Sequence, residues 1–246
     1  FKPSSAMPAE LREHLRYPEG LFEIQSSVFR TYHMKDPNTF YNKEDVWTIT
    51  PEGSRKPVTP NYTILKLMGE KEPEFALIIP FLPVGRNNMI AWMAGRSDPG
   101  HYGKLVVYRF PKQKLIFGPA QIEALIDQTP EISAQVSLWS QRGSEVIRGD
   151  LLVIPVGKGL LYVQPLYLKA ERGDLPELKR VILSTGGRVA MAETFDQALA
   201  RVLGTPVPKS AAAVSQGKTA PAATGLTPKA GGQDLKTLAV EARKAW

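Results

Sequence analysis

The stretch from Tyr62 to Phe110 constrains the fold more than any other part of the chain, because apolar runs alternate there with polar breakers. The runs are rich in Ile, Leu, Val, Phe and Tyr. The breakers hold Gly, Asn, Asp and Pro, which favour turns. This pattern is typical of consecutive strands joined by short loops. Strands are therefore predicted near residues 62–68, 75–82, 88–94 and 104–110.

Further strand pairs are predicted towards the C-terminus. The glycine-containing segment 156–159 indicates a hairpin between two runs, and the residues Thr185, Gly186 and Gly187 indicate a second tight turn. A mixed or mostly antiparallel sheet is therefore expected over about residues 60–192. The strands that flank these two turns are predicted at 145–154, 160–168, 178–184 and 188–192.

Helical spacing dominates residues 7–34, with a new start at Pro18, because proline is disfavoured inside a helix and suits its first turn. A short helical turn with aromatic residues is predicted within 36–47. Apolar residues in the second part of the helix recur every three or four positions, so a sheet or another helix is expected to cover that face. These residues are Leu21, Ile24, Val28 and Tyr32.

Three more helices are predicted. Two apolar stripes over 119–140 are separated by Thr129 and Pro130, a cap residue followed by a first-turn proline. In the third helix, over 194–203, Thr194 and Gln197 have capping-box spacing, and Gly204 ends the helix.

These elements together predict an α+β fold, with an N-terminal helical layer and further helices packed on the sheet. Residues 205–232 hold many Ala, Pro and Gly residues and no aromatic residue, which predicts a linker. The expected domains are an N-terminal helical segment, an α+β core domain, this linker, and the start of a truncated C-terminal helix. Their bounds are 1–50, 60–204, 205–232 and 233–246.

The composition of the 246 residues excludes some classes of function. Cysteine is absent, which removes disulfides and thiolate zinc sites. The net charge is +7, but residues 205–246 hold six basic and two acidic residues, so only +3 remains for residues 1–204. Basic residues scattered among acids do not favour nucleic-acid binding. No run reaches the roughly 18 apolar residues that a membrane-spanning helix needs.

The best candidate site lies in the polar loops of the opening stretch. Two arginines there could bind a carboxylate or a phosphate, and Asp98 with His101 could form an acid–base pair if their side chains converge. The alternative is ordinary turn chemistry, with the arginines solvated or paired with glutamate. The candidate ligand-binding residues are Arg86, Asn87, Asn88 and Arg96, and the candidate catalytic residues are Asp98 and His101.

Other motifs have simpler explanations. His14 and His33 have no second ligand at helical spacing, so no metal site is predicted. The turn at Gly186 and Gly187 could bind an anion through backbone N–H groups, although a tight hairpin explains it as well. No sequence feature predicts a cofactor.

Long strings of characteristic sequence lie within 1–3, 15–47, 75–112, 118–144 and 183–204. Together they resemble the uncharacterised protein family 182 of bacterial and archaeal multi-span membrane proteins. The resemblance implies the later part of an extracytoplasmic region that follows a bundle of transmembrane helices, in a protein of the plasma membrane. It carries over no activity, cofactor or catalytic residue.

Three functions are therefore open. The first expectation is a non-catalytic region that binds or scaffolds envelope partners, or serves transport, beside the upstream transmembrane part of the same polypeptide. The second is an envelope-directed hydrolase with its site in loops 85–101. The third is the binding of anionic lipid headgroups by lysines in 205–244. Since the chain begins at Phe1, it is expected to be a fragment.

Overall fold

The computed structural model describes residues 2–50, 56–111, 113–141, 143–157, 159–170, 173 and 175–205. Nearly all of the predicted linker and the whole predicted C-terminal helix lie outside these residues, as do the lysines of 206–244. The described residues divide into two units, with the boundary between Ala124 and Leu125. Among them, no helix is long and apolar enough to cross a membrane.

The first unit is an antiparallel sheet with helices before it. The strands follow the order β1-β3-β4-β5, and β2 pairs with β3 as well. A 3₁₀ turn at Ser4–Ala6 comes before the helices. The helices are α1 (Ala9–Arg12), α2 (Glu19–Tyr32) and α3 (Pro37–Tyr41), and the strands are β1 (Trp47–Thr48), β2 (Asn61–Leu65), β3 (Glu74–Pro83), β4 (Ala91–Arg96) and β5 (Leu105–Arg109).

The core of this unit lies between α2 and one face of the sheet. Phe22 is fully buried and packs with Tyr17 against a cluster of sheet residues. Gly95 permits this close approach, because a Cβ there would lie 2.9 Å from Cγ of Tyr17 and 3.0 Å from Cδ2 of Phe22. The sheet residues of the cluster are Trp47, Leu77, Ile79, Phe81, Ala91 and Met93.

The structure corrects the predicted buried face of α2. Phe22 and Ser26 are buried, and the ring of Phe29 lies 6.0 Å from the rings of Trp47 and Phe81. The prediction was wrong because α2 carries two adjacent apolar stripes, and helical spacing does not say which of them meets the sheet. The residues predicted to be covered, Leu21, Ile24, Val28 and Tyr32, are instead exposed.

The second unit contains another antiparallel sheet, in the order β10-β9-β8-β6, with β7 also paired to β8. Helix α4 (Pro119–Gln128) contains the boundary between the units. The remaining elements are α5 (Pro130–Trp139), β6 (Ser144–Arg148), β7 (Leu152–Val156), β8 (Gly159–Ala170), β9 (Glu177–Thr185), β10 (Arg188–Ala192) and α6 (Phe195–Leu203).

The predicted α+β class is confirmed, but the strands form two sheets rather than one. The run predicted as one strand over 145–154 is two strands, β6 and β7, which pair with different parts of β8. Gly149 lies between them, and a Cβ there would come within 2.6 Å of Cγ of Pro165. The prediction could not divide the strands between sheets, because pairing depends on contacts that are distant in sequence.

Most of the predicted turns and helix caps agree with the structure. Val156 pairs with Gly159, and Thr185 pairs with Arg188 across the turn of Gly186 and Gly187, which both have positive φ. The Thr194 hydroxyl accepts a hydrogen bond from the Gln197 amide, and Gly204 ends α6 with a left-handed φ of 70°. Thr129 precedes α5 but does not cap it, because its hydroxyl donates to the Leu125 carbonyl at 2.9 Å.

Candidate functional site

The six predicted site residues divide into two groups at opposite ends of β4. Arg86, Asn87 and Asn88 lie in the connection before the strand, whereas Arg96 is its last residue. Asp98 and His101 follow in the next turn. Five residue steps along β4 correspond to roughly 17 Å, so Arg86 does not converge with Arg96, Asp98 and His101.

Arg96 is held by two glutamates. It is 7% exposed, and its Nε and Nη1 lie 2.7 Å from Oε2 of Glu74 and 2.9 Å from Oε1 of Glu70. Burial by itself lowers the pKa of the Arg96 guanidinium, but the hydrogen bonds and charges of Glu74 and Glu70 outweigh it and raise that pKa. This arginine therefore contributes to the structure of the sheet end rather than offering a free cation.

Asp98 and His101 belong to a tight turn. The Asp98 carboxylate accepts a hydrogen bond from the Phe75 amide at 3.2 Å, and the His101 amide donates to the Asp98 carbonyl at 3.1 Å. Gly100 and Gly103 have positive φ values of 83° and 84°. His101 Nδ1 is buried and, within the described residues, has no hydrogen-bond partner. The Asp98 carboxylate thus anchors β3 to the turn, and the structure records no side-chain hydrogen bond from it to His101.

Arg86 and Asn88 instead line a groove in the first unit, which we call the Arg86 groove. It has a volume of ≈ 630 Å³, and its walls come from residues 43–46, 83–84, 86, 88–90, 110–111 and 113–115. Met89 contributes a buried apolar floor, and Val84 and Leu115 are exposed apolar residues among its lining residues. The groove therefore combines polar and apolar contacts.

Backbone contacts fix the wall that carries Arg86 and Asn88. The Arg86 amide donates to the Pro83 carbonyl at 3.2 Å, and Gly85 adopts a positive φ of 72° in this turn. Asn88 forms an antiparallel bridge with Phe117, and the Met89 amide donates to the Ile116 carbonyl at 2.9 Å. The segment before α4 therefore holds this loop in place.

The acidic side chains of the groove are already engaged. Glu44 accepts a hydrogen bond from the Asn42 amide group at 3.1 Å. Asp45 accepts one from the Trp47 indole at 3.1 Å, and its other oxygen lies 3.6 Å from Nε2 of His33. Both carboxylates therefore have partners of their own, and the structure records no ion pair between either of them and Arg86 or Lys43.

Two of the three cations that line the groove, Arg86 and Lys43, are less engaged. Arg86 and Lys43 are exposed, and the structure gives neither side chain a hydrogen bond or ion pair with another described residue. Lys43 has a positive φ of 56°, a conformation that residues other than glycine rarely adopt. The sequence prediction missed Lys43, since its segment was interpreted only as a helical turn with aromatic residues. Unusual backbone at Lys43 was not visible in the sequence.

A second pocket, of ≈ 640 Å³, lies within the second unit, but its cations are occupied. Arg180 lies 3.4 Å from Glu193 and over the ring of Trp139, and Arg201 donates to the Met191 carbonyl at 2.7 Å.

In the part of the chain that the structure describes, no group of three His, Asp or Glu side chains is placed so that it could hold a metal ion.

Comparisons with known proteins identify relatives. A family model described as an uncharacterised protein family, UPF0182, matches residues 1–139. The UPF0182 protein of Desulforamulus reducens is 54% identical over 207 residues, which are 83% of this chain and 22% of that protein. A UPF0182 protein of Geobacter sp. is 50% identical over 242 residues, 98% of this chain and 26% of the relative.

A third relative, from Trichodesmium erythraeum, is 51% identical over 210 residues, which are 84% of this chain and 23% of that protein. The chain thus spans about a quarter of the length of the curated relatives it matches. No solved structure matches the chain.

Proposed function

The chain belongs to the uncharacterised protein family UPF0182, and from that premise we propose that this region is a non-catalytic binding module. Its ligand carries an anionic group and an apolar chain, as an anionic lipid does. The anionic group binds at Arg86, with Lys43 and the Asn88 amide nearby, and the apolar chain lies against Val84 and Leu115.

The observation that carries this proposal is the unequal engagement of charges in the Arg86 groove. Both acids hold other partners, whereas the side chains of Arg86 and Lys43 make no hydrogen bond or ion pair with another described residue. A guanidinium can bind a phosphate or a carboxylate through two parallel hydrogen bonds. Exposed apolar residues beside a cation favour an amphiphilic ligand over a small inorganic ion.

We further propose that the module lies outside the cytoplasm, in a membrane protein of the cell envelope. The support is the resemblance described above and the length of the relatives, which leaves about three quarters of the polypeptide for other parts. Alkaline phosphatase is active only outside the cytoplasm, so its fusion behind the position equivalent to Thr205 in a full-length relative should be active. An inactive, stably expressed fusion would contradict this location.

Arg86→Gln is expected to weaken binding of dioctanoyl phosphatidylglycerol at least tenfold, measured by titration calorimetry. A hydrogen bond to a charged group contributes about 1.5–3 kcal/mol, and a tenfold change corresponds to about 1.4 kcal/mol. Dioctanoyl phosphatidylcholine should bind much more weakly. Binding should also weaken with added salt, because the groove is open to solvent.

Arg188→Gln is the matched control, since Arg188 is exposed on β10 and lies outside the groove. This variant should bind the anionic lipid as the unchanged chain does. Equal affinity of the Arg86→Gln variant and the unchanged chain, or equal loss in both variants, would contradict the proposal.

No specific observation favours the hydrolase, because Asp98 is engaged with the Phe75 amide in a turn.

A further inference from the structure

An apolar stripe runs along the solvent side of α2. Its four residues follow one another at spacings of three or four positions, which places them on one line along the helix. We call it the α2 stripe. Leu21 is 47% exposed, Ile24 is 65% exposed, Val28 is 50% exposed and Tyr32 is 66% exposed.

Aromatic residues extend the stripe beyond the end of the helix. The ring of Phe40 lies 5.5 Å from the ring of Tyr32 and 5.5 Å from the ring of Tyr41. Tyr41 is 80% exposed. Single exposed apolar residues are normal, but a contiguous apolar surface marks a contact with another protein segment or a ligand.

The stripe is separate from the face that builds the core. Phe22 and Ser26 are buried on the side of the helix that faces the sheet. Glu23 is exposed on the side that faces away from the stripe. An ordinary surface helix has one apolar face and a polar opposite face. In α2, roughly half of the circumference is apolar, and the described core covers only part of it.

We propose that the α2 stripe is an internal interface of the longer protein, covered by an apolar segment of the same polypeptide from outside these 246 residues. In the relatives, the region equivalent to this chain is only 22–26% of the whole. In those relatives, most of the polypeptide therefore lies outside this region and is covalently tethered to it.

The tether favours this occupant over a second copy of the chain. A stable interface between separate proteins buries about 800 Å² on each partner, which is more than the exposed parts of four side chains on one helix provide. A segment of the same polypeptide that is joined by a short flexible linker reaches an effective concentration of about the millimolar range. A small apolar stripe is sufficient for such a partner. The inference is independent of the Arg86 groove.

Cysteine labelling tests the proposal directly, because the chain contains no cysteine of its own. Ile24→Cys and Val28→Cys report on the stripe, and Glu23→Cys is the matched control on the far side of the helix. Each is made in this chain and at the equivalent position of a full-length relative without native cysteines, in membrane vesicles from the expressing cells. The rate of reaction with a water-soluble maleimide is measured in both proteins.

Both stripe cysteines are expected to react quickly in the 246-residue chain and at least tenfold more slowly in the full-length protein. The control should react at similar rates in both. Equal rates at the stripe in the two proteins would overturn the proposal. Protection in the 246-residue chain that grows with its concentration would indicate a second copy instead. Protection of that chain by added lipid vesicles would indicate a membrane surface, and either result also overturns it.

Discussion

Gly118→Ala is expected to lower the free energy of unfolding of the chain by at least about 4 kcal/mol, an unusually large effect for one methyl group. A Cβ on Gly118 would lie 2.1 Å from the carbonyl oxygen of Asn87 and 2.6 Å from Cδ2 of Leu82. The oxygen belongs to the backbone and cannot rotate away. Either the segment before α4 or the loop that carries Arg86, Asn87 and Asn88 must move.

Such a movement would break the contacts that position the groove. The Met89 amide would lose the Ile116 carbonyl, and the bridge between Asn88 and Phe117 would open. Binding by Arg86 should therefore weaken together with stability. Urea unfolding followed by circular dichroism measures the first effect, and lipid titration of the folded fraction measures the second.

Gly20→Ala is the control for this substitution. Gly20 lies in the first turn of α2, and a Cβ there meets no atom within 4 Å. Alanine is preferred over glycine in a helix by about 0.8–1.0 kcal/mol, so this variant should be as stable as the unchanged chain or slightly more stable. Similar stabilities of the Gly118→Ala and Gly20→Ala variants would show that the approach at Gly118 is not tight.

Elements with strong local signals could be predicted from the sequence. Helix α6 has its cap residue and its terminating glycine adjacent to an apolar stripe, and both act in the structure as predicted. The hairpin at 156–159 and the turn at Gly186 and Gly187 are set by residues next to each other in the chain. These features depend on neighbours within about four residues, which a single sequence displays.

Features that depend on distant partners could not be predicted. The choice between the two stripes of α2 depends on which aromatic residues the sheet presents, and the division into two sheets depends on pairing with β8. The separation of Arg86 from Arg96 was accessible, however, since a strand was predicted over 88–94 between them. A strand of that length places its two flanking loops at opposite ends.

Arg96→Met is expected to destabilise the chain by about 3–5 kcal/mol, because it leaves a buried carboxylate without its counter-ion. Glu74 is 5% exposed, and its Oε1 already has no hydrogen-bond partner among the described residues. Removal of the guanidinium would leave Oε2 unpaired as well. Methionine retains much of the apolar volume of the arginine side chain, so the loss reports mainly on charge.

Glu70 and Glu74 provide matched comparisons, since they bind the same guanidinium at different depths. The Glu70 side chain is 37% exposed, so Glu70→Gln should cost less than about 1 kcal/mol, as is usual for exposed ion pairs. Adding Glu74→Gln to Arg96→Met should recover part of the lost stability, because a neutral amide is less costly to bury than an unpaired carboxylate. If the double variant were as unstable as the sum of the two single variants, Arg96 and Glu74 would not be energetically coupled. Urea unfolding of the unchanged chain, the Arg96→Met variant, the Glu74→Gln variant and the double variant gives this coupling directly.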